Sequence, residues 1–111
     1  MNLRNRMVAI TAGLLVALGS PLTVNAEGDA EAGRFKAETC MGCHGVKTYF
    51  NVYPTYHVPR VGGQHAAYIV AALKAYKTGE RGHRTMQAQA RSLTDQDMAD
   101  IAAYFAADQS N

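Results

Sequence analysis

Two cysteines and a histidine in the segment Cys40-Met41-Gly42-Cys43-His44 are the residues of this chain best suited to chemistry. Cysteines three positions apart, followed directly by a histidine, form the attachment pattern of a c-type haem. Each thiol can add across one vinyl group of the porphyrin, which gives two thioether bonds. The adjacent His44 then lies where its imidazole nitrogen can bind the iron as the proximal ligand. The motif therefore predicts one covalently attached haem c with its iron.

A redox-active Cys-x-x-Cys of the thioredoxin kind and a zinc site are the alternative interpretations of the cysteine pair. The first expects a βαβ pattern around the motif, and the sequence shows none. The second requires another pair of ligands at zinc-finger spacing, which is missing. The chain has only two cysteines, so an exported protein would otherwise form one disulfide at most. Haem attachment is the favoured interpretation.

The first 26 residues have the pattern of a cleaved secretory signal peptide. Two arginines form a positive start, the run from Met7 to Leu18 is apolar, and Ala26 ends an acceptable small-residue cleavage site. The apolar run is shorter than the roughly 20 residues that span a bilayer. We therefore assign residues 1–26 to a signal peptide and residues 27–111 to one domain, with the bacterial periplasm as its expected location.

Charge and length restrict the class of protein. The chain has 11 Lys and Arg residues against 9 Asp and Glu residues, and loss of Arg4 and Arg6 with the signal peptide would leave nine of each sign. A near-neutral domain lacks the basic face that nucleic-acid binding requires. A chain of this length buries only a marginal core by itself. A large, flat haem would supply the missing apolar centre.

Helical periods dominate the rest of the chain, and no segment alternates like a strand. The sequence predicts a first helix from Asp29 to about Glu38, a middle helix from Gln64 to Lys77 and a last helix that begins at Thr94. A short helical turn is predicted from Gln87 to Arg91. The stretch from Gly45 to Gly63 has no helical period and many aromatic residues, which suits a lid over an apolar object. These elements predict a single all-α domain wrapped around one haem.

Met86 is the expected second ligand of the iron. Met41 is constrained between the attachment cysteines, and Met98 belongs to the apolar stripe of the last helix, where it fills the core. Met86 instead follows a glycine-containing polar loop, so a backbone turn can bring its sulfur across the ring. A thioether favours Fe(II), and a His/Met pair raises the reduction potential. The alternative ligands are three histidines in or near the loops, His57, His65 and His83.

The proximal histidine needs a hydrogen-bond acceptor for its other ring nitrogen. A backbone carbonyl in the long loop is the natural acceptor for His44. Pro59 is the first candidate, because a proline pins the loop and its backbone offers only a carbonyl. Pro54 is the second candidate, and the sequence does not choose firmly between them.

Together these segments resemble the class I, single-haem cytochromes c, and within that class the bacterial periplasmic cytochromes of the c4/c553 kind. The resemblance covers Gly28 to Ala107. It rests on the haem motif, Met86 and five further segments: Gly28-Asp29-Ala30-Glu31-Ala32-Gly33, Pro59-Arg60-Val61-Gly62-Gly63-Gln64-His65, Gly79-Glu80-Arg81, Leu93-Thr94-Asp95-Gln96-Asp97 and Ile101-Ala102-Ala103-Tyr104-Phe105.

The resemblance implies a role for particular residues. Cys40 and Cys43 would attach the haem, His44 and Met86 would be the axial ligands, and the Pro59 carbonyl would accept the hydrogen bond from His44. Gly33 would touch the last helix near Tyr104. One segment departs from this kind of cytochrome, because residues 46–58 are richer in tyrosine than its usual loop.

These residues are typical of a periplasmic electron carrier and not of an enzyme. The iron would cycle between Fe(III) and Fe(II) and pass electrons between respiratory or dehydrogenase partners, with the protein a monomer or a weak dimer. Positive residues flank Met86 from Arg60 to Arg91, so partners with acidic docking faces are expected. The alternatives are a haem-bearing subunit of a larger dehydrogenase or oxidase complex, and a ligand-binding haem sensor or peroxidase.

Overall fold

The computed structural model describes residues 27–108, and the predicted signal peptide lies outside this part of the chain. Within residues 27–108, no helix has both the length and the apolar character needed to cross a membrane. The elements of this region, in chain order, are α1 (Ala30–Lys36), α2 (Glu38–His44), β1 (Phe50–Val52), β2 (Thr55–His57), α3 (Ala66–Thr78), α4 (Arg84–Ala90) and α5 (Asp95–Ala107).

Local capping signals fix the ends of the two longest helices. At the start of α5, the Thr94 hydroxyl accepts the Asp97 N–H at 3.1 Å, and the Asp97 carboxylate accepts the Thr94 N–H at 2.9 Å. This reciprocal pair is a capping box. Gly79 ends α3 with a φ of 85°, a left-handed conformation that costs glycine little. The predicted middle and last helices are therefore confirmed.

The haem motif lies in a helix that the sequence pattern did not predict. The first helix ends at Lys36, and a separate helix, α2, begins at Glu38 and runs through the motif to His44. Cysteine, glycine and histidine have low helix propensity, and the motif has no apolar period of its own. Helix α2 is therefore stabilised mainly by packing, since Cys40 and Met41 both lie against the apolar core.

The prediction that no segment forms a strand was wrong for residues 50–57. Strands β1 and β2 form an antiparallel hairpin in which Asn51 lies opposite Tyr56. These two residues are half-buried, while their neighbours on each strand are exposed. Strands of three residues are too short for an alternating pattern to be recognised. The hairpin turns the side chain of Tyr56 inward, although the fold remains mostly helical.

Met86 lies within a helix and not in the loop that the sequence predicted. Helix α4 begins at Arg84, so the first turn includes Met86. The usual Ser, Thr, Asp or Asn cap is absent, and His83 takes that place instead. A histidine cap is not a recognised start signal, which explains the misplaced boundary.

The core is formed where α5 packs against α1 and α3, and where α3 packs against α4. Met98, the core filler of the predicted last helix, is fully buried. The other buried apolar residues are Ala37, Ile69, Leu73, Ala90, Ile101, Ala102 and Phe105.

Helices α1 and α5 touch at Gly33. A Cβ atom added there would lie 2.0 Å from the Asp100 carbonyl oxygen and 2.9 Å from the Tyr104 Cβ. Because the first of these atoms belongs to the backbone, no side-chain rotation can relieve the clash. The contact near Tyr104 that the family resemblance implied is present.

Replacement of Gly33 by alanine should reduce the free energy of unfolding of the haem-loaded protein by about 3 kcal/mol, the upper range for overpacking. Denaturant unfolding measures this change. Gly42→Ala is the matched control, because Gly42 is also helical and has nothing within 4 Å of an added Cβ. That variant should stay within about 1 kcal/mol of the wild type. Equal destabilisation by both substitutions would contradict the close contact.

An ion network joins the same two helices. The Lys36 ammonium lies 2.8 Å from an Asp97 carboxylate oxygen and 2.6 Å from an Asp100 carboxylate oxygen. The Asp100 carboxylate is buried, and it also accepts the Asp29 N–H at 2.9 Å and the Gln96 side-chain N–H at 2.7 Å. The hydrogen bonds from Lys36 lower the pKa of both aspartates, and the two aspartates raise the pKa of Lys36.

Substitution of Lys36 by methionine should destabilise the protein most at neutral pH and less in strong acid. A depressed carboxylate pKa stabilises the fold fully above the ordinary aspartate value of 3.8, and this contribution is lost as the pH falls from there through the lowered pKa of the folded state. The raised lysine pKa contributes fully below 10.5 and is lost at higher pH. Urea unfolding of both proteins at about pH 2 and at pH 7 measures how the difference changes as the carboxylates of the folded protein begin to take up protons. If the free energies of unfolding of the wild type and the variant differ by the same amount at both pH values, the assigned ion pairs are contradicted.

Candidate functional site

Cys40, Cys43 and His44 of the predicted haem motif line one cavity of about 520 Å³ together with Met86. A second cavity of about 290 Å³ shares Cys40, His44 and Met86 with the first. Helix α2 supplies Cys40, Cys43 and His44, and α4 supplies Met86 from a position 42 residues further along the chain. The combined space is within the range of roughly 300–1,000 Å³ that holds a cofactor-sized molecule.

The ring of His44 is held by a backbone carbonyl. Its Nδ1 atom lies 2.6 Å from the Pro59 carbonyl oxygen. A carbonyl can only accept, so Nδ1 carries the hydrogen and donates it, which leaves the lone pair of the neutral ring on Nε2. Pro54, the second candidate for this place, has a carbonyl that accepts the Asn51 side-chain N–H at 2.8 Å and so serves the hairpin.

Cys40 and Cys43 are free thiols, and both are half-buried. Cys40 lies against the apolar core, and this burial raises the pKa of its thiol. The two side chains belong to one face of α2, since a separation of three residues is nearly one helical turn. Two thiols on one face suit two bonds to a single planar molecule.

Met86 is half-buried in the first turn of α4 and packs against the apolar core. Its backbone N–H donates to the Nδ1 atom of His83 at 3.4 Å. His57 and His83 line the same cavity, whereas His65 precedes α3 at an exposed position. The structure therefore brings Met86 and two of the three alternative histidines to the site.

Arg81 is a charged residue of the site whose role the sequence did not reveal. It lines both cavities. Its guanidinium donates to the Tyr68 hydroxyl at 3.3 Å and lies 4.8 Å from the centre of the Tyr76 ring. The hydrogen bond to Tyr68 raises the pKa of Arg81, which stays a fixed cation. One sequence signal could have indicated this contact. Tyr68 and Tyr76 are eight residues apart on α3, which places both on one helix face.

The walls between these polar groups are apolar. Leu73 and Ile101 line both cavities, and Ile69 and Phe105 line the smaller one. All four belong to the buried core, so the inner wall of the site is part of the hydrophobic centre.

The family model for cytochrome c matches residues 30–107. The chain belongs to the cytochrome c family. It is 38% identical to cytochrome c4 of Pseudomonas aeruginosa over 100 residues. The matched segment covers 90% of this chain and 48% of that protein. Its similarity to cytochrome c-554(548) of Halomonas halodenitrificans is 42% identity over 81 residues, which cover 70% of this chain and 94% of that protein.

A third relative, cytochrome c4 of Thiocapsa roseopersicina, is 40% identical over 80 residues, which cover 71% of this chain and 40% of that protein. This cytochrome therefore spans about half the length of the cytochrome c4 relatives that it matches. It spans nearly the whole of the Halomonas protein.

Membership of the cytochrome c family implies haem c, bound covalently and containing iron. The site fits that group in three respects. It has two free thiols on one helix face, an imidazole whose Nε2 carries the lone pair, and apolar walls around a cavity of cofactor size.

Proposed function

We propose that this cytochrome is a periplasmic one-electron carrier, with haem c attached through Cys40 and Cys43 and iron held between His44 and Met86. The observation that supports this most directly is the convergence of these four side chains on one apolar cavity. When bound, the haem supplies the one-electron Fe(III)/Fe(II) couple.

The two proposed axial ligands have different tasks. The hydrogen bond to the Pro59 carbonyl orients the His44 ring and makes it a stronger donor. Met86 offers a neutral thioether, which favours the ferrous state and a higher potential. Because the two residues would fill both axial positions, no coordination position would remain open for oxygen or a substrate. This is the arrangement of a carrier and not of an enzyme.

Arg81 and the apolar walls would complete the binding of the cofactor. The fixed Arg81 cation lines both cavities and is suited to pair with a haem propionate. Leu73 and Ile101 would exclude water from the macrocycle, which keeps the surroundings of the iron at low dielectric. These residues would bind the cofactor and tune its potential.

The proposed location and partners rest on the sequence and the surface charge. The pattern of residues 1–26 supports export to the periplasm. Arg84 and Arg91, at the two ends of α4, are exposed cations near Met86. We therefore propose redox partners with acidic docking faces. Rates of electron transfer that do not change with ionic strength would contradict docking by charge.

The proposed function is tested by the mass, redox titration and carbon monoxide binding of protein made in a host that matures cytochromes c. We expect the mass of the chain plus one haem, a reversible one-electron titration, and slow binding of carbon monoxide to the reduced form. Colourless protein with the mass of the bare chain would overturn haem attachment. Rapid binding of carbon monoxide would favour the alternative of a ligand-binding sensor or peroxidase.

One observation favours the second candidate, a subunit of a larger dehydrogenase or oxidase complex. The hairpin presents exposed apolar side chains, with Phe50 56%, Val52 84% and Tyr53 94% exposed. A permanent partner could cover them. Purification from the native membrane and periplasmic fractions decides between the two, because a subunit would co-purify with a dehydrogenase or oxidase at constant ratio.

A further inference from the structure

The hairpin formed by β1 and β2 reaches the first turn of α4. We propose that this hairpin fixes the position of Met86, and that Tyr56 and His83 are positioning residues for the distal ligand. The proposal rests on the proposed function, in which Met86 binds the iron. It assigns a role to the tyrosine-rich segment that distinguishes this chain from the usual loop of similar cytochromes.

Tyr56 contacts both the cap of α4 and its first turn. Its ring centre lies 4.8 Å from that of His83, with an angle of 86° between the planes. This is the edge-to-face arrangement that aromatic pairs prefer. Its hydroxyl lies 3.4 Å from the Thr85 hydroxyl oxygen. The inward orientation that the strand gives to Tyr56 is what allows both contacts.

The two residues that Tyr56 touches, His83 and Thr85, belong to the start of α4, close to Met86. His83 caps α4 and accepts the Met86 N–H, and Thr85 directly precedes Met86. The His83 ring also meets the Tyr76 ring of α3, with a centre-to-centre distance of 6.5 Å and an interplanar angle of 74°. The cap is therefore in contact with aromatic side chains from two other elements.

Helix α4 depends on such contacts because of its length. It has seven residues, from Arg84 to Ala90, and an isolated helix of this length is unstable in water. Its last residue, Ala90, is buried in the core, whereas Arg84 and Thr85 at its start are exposed. The hairpin and the cap thus stabilise the end of α4 that carries Met86.

Loss of these contacts should make it easier for Met86 to leave the iron. With Met86 on the iron, carbon monoxide would bind the reduced protein only after the thioether had left, so its binding rate would report how often the Met86 turn moves away. A substitution that affects stability alone would alter unfolding without raising this rate in the folded protein. The rate therefore separates an effect on the Met86 turn from an effect on global stability.

The experiment compares the haem-loaded wild type with Tyr56→Ala, Tyr56→Phe and a control, Val52→Ala. We expect carbon monoxide to bind about tenfold faster in Tyr56→Ala, which loses the ring pair and the hydroxyl contact, and about threefold faster in Tyr56→Phe. Val52 lies in the same hairpin, is 84% exposed and is on the opposite face of the hairpin from Tyr56, so Val52→Ala should match the wild type.

Substitutions of His83 separate the hydrogen bond that it accepts from the Met86 N–H from its ring contact with Tyr56. His83→Ala removes both, whereas His83→Asn keeps a side-chain acceptor for the Met86 N–H. We expect faster carbon monoxide binding in His83→Ala and partial restoration in His83→Asn. Equal rates in the wild type and His83→Ala would overturn the role of His83.

The outcomes distinguish this proposal from the proposed function. A wild type that lacks the ferric iron–sulfur charge-transfer band would overturn Met86 ligation itself. A wild type with that band, but with Tyr56→Ala within twofold of its carbon monoxide rate, would overturn only the positioning role. If Tyr56→Ala yields no haem-loaded protein, Tyr56→Phe and Thr85→Val decide, because both remove the same hydroxyl contact and should raise the rate equally.

Discussion

Replacement of Met86 by alanine should abolish the ferric iron–sulfur charge-transfer band and lower the reduction potential by on the order of 100 mV or more, since axial ligands set haem potentials over about 0.8 V. The physical reason is the loss of a soft, neutral ligand that favours Fe(II). The visible spectrum and a redox titration of the haem-loaded variant measure the two effects. Because Met86 is only half-buried, truncation of its side chain to alanine should change the packing of the core little.

Met98→Leu is the control for this substitution. Met98 is fully buried in α5, and a swap of similar volume there should cost less than about 1.5 kcal/mol of stability. Its spectrum and potential should equal those of the wild type. His57 and His83 line the same cavity as Met86 and are the available replacements. An unchanged spectrum in Met86→Ala would therefore assign the distal position to another residue.

Removal of both thiols in Cys40→Ala/Cys43→Ala should eliminate covalent attachment of the haem. Each cysteine can form one thioether bond, so each single variant should retain haem through the other bond and the double variant should retain none covalently. The mass of the polypeptide and extraction of haem into acidified organic solvent measure the result. The double variant should give the mass of the bare processed chain and release all remaining haem.

Met41→Leu is the matched control for the cysteine variants. Met41 lies between the two thiols in α2 and packs against the core, but it has no group that can form a thioether with a vinyl group. Its mass should include one haem. Covalent haem in the double cysteine variant, or its loss in Met41→Leu, would contradict the assignment of Cys40 and Cys43.

The sequence predicted the features that depend on neighbouring residues. Cys40, Cys43 and His44 carry the attachment chemistry within five consecutive positions, so the motif does not depend on the path of the rest of the chain. The start of α5 at Thr94 and the end of α3 at Gly79 follow from side-chain and backbone preferences within one helical turn. Such local signals can be read without knowledge of the fold.

Tertiary structure decided the contacts between residues that are distant along the chain. The sequence left open whether Pro54 or Pro59 would serve His44, and the path of the hairpin brings the Pro59 carbonyl to the ring. The approach of Gly33 to the last helix near Tyr104 was expected from the family resemblance, but the contact with the Asp100 carbonyl depends on how closely α1 packs against α5.

The hairpin and its contact with α4 also could not be predicted from the sequence. Three-residue strands carry no readable period, and the pairing of Tyr56 with His83 joins positions 27 residues apart. Arg81 is likewise held at the cavity by its contacts with Tyr68 and Tyr76 of α3. The sequence by itself thus determined the attachment chemistry and the ends of the main helices, because those depend on adjacent residues. Only the folded chain decided which side chains surround the cofactor site, because that depends on the course of every segment between them.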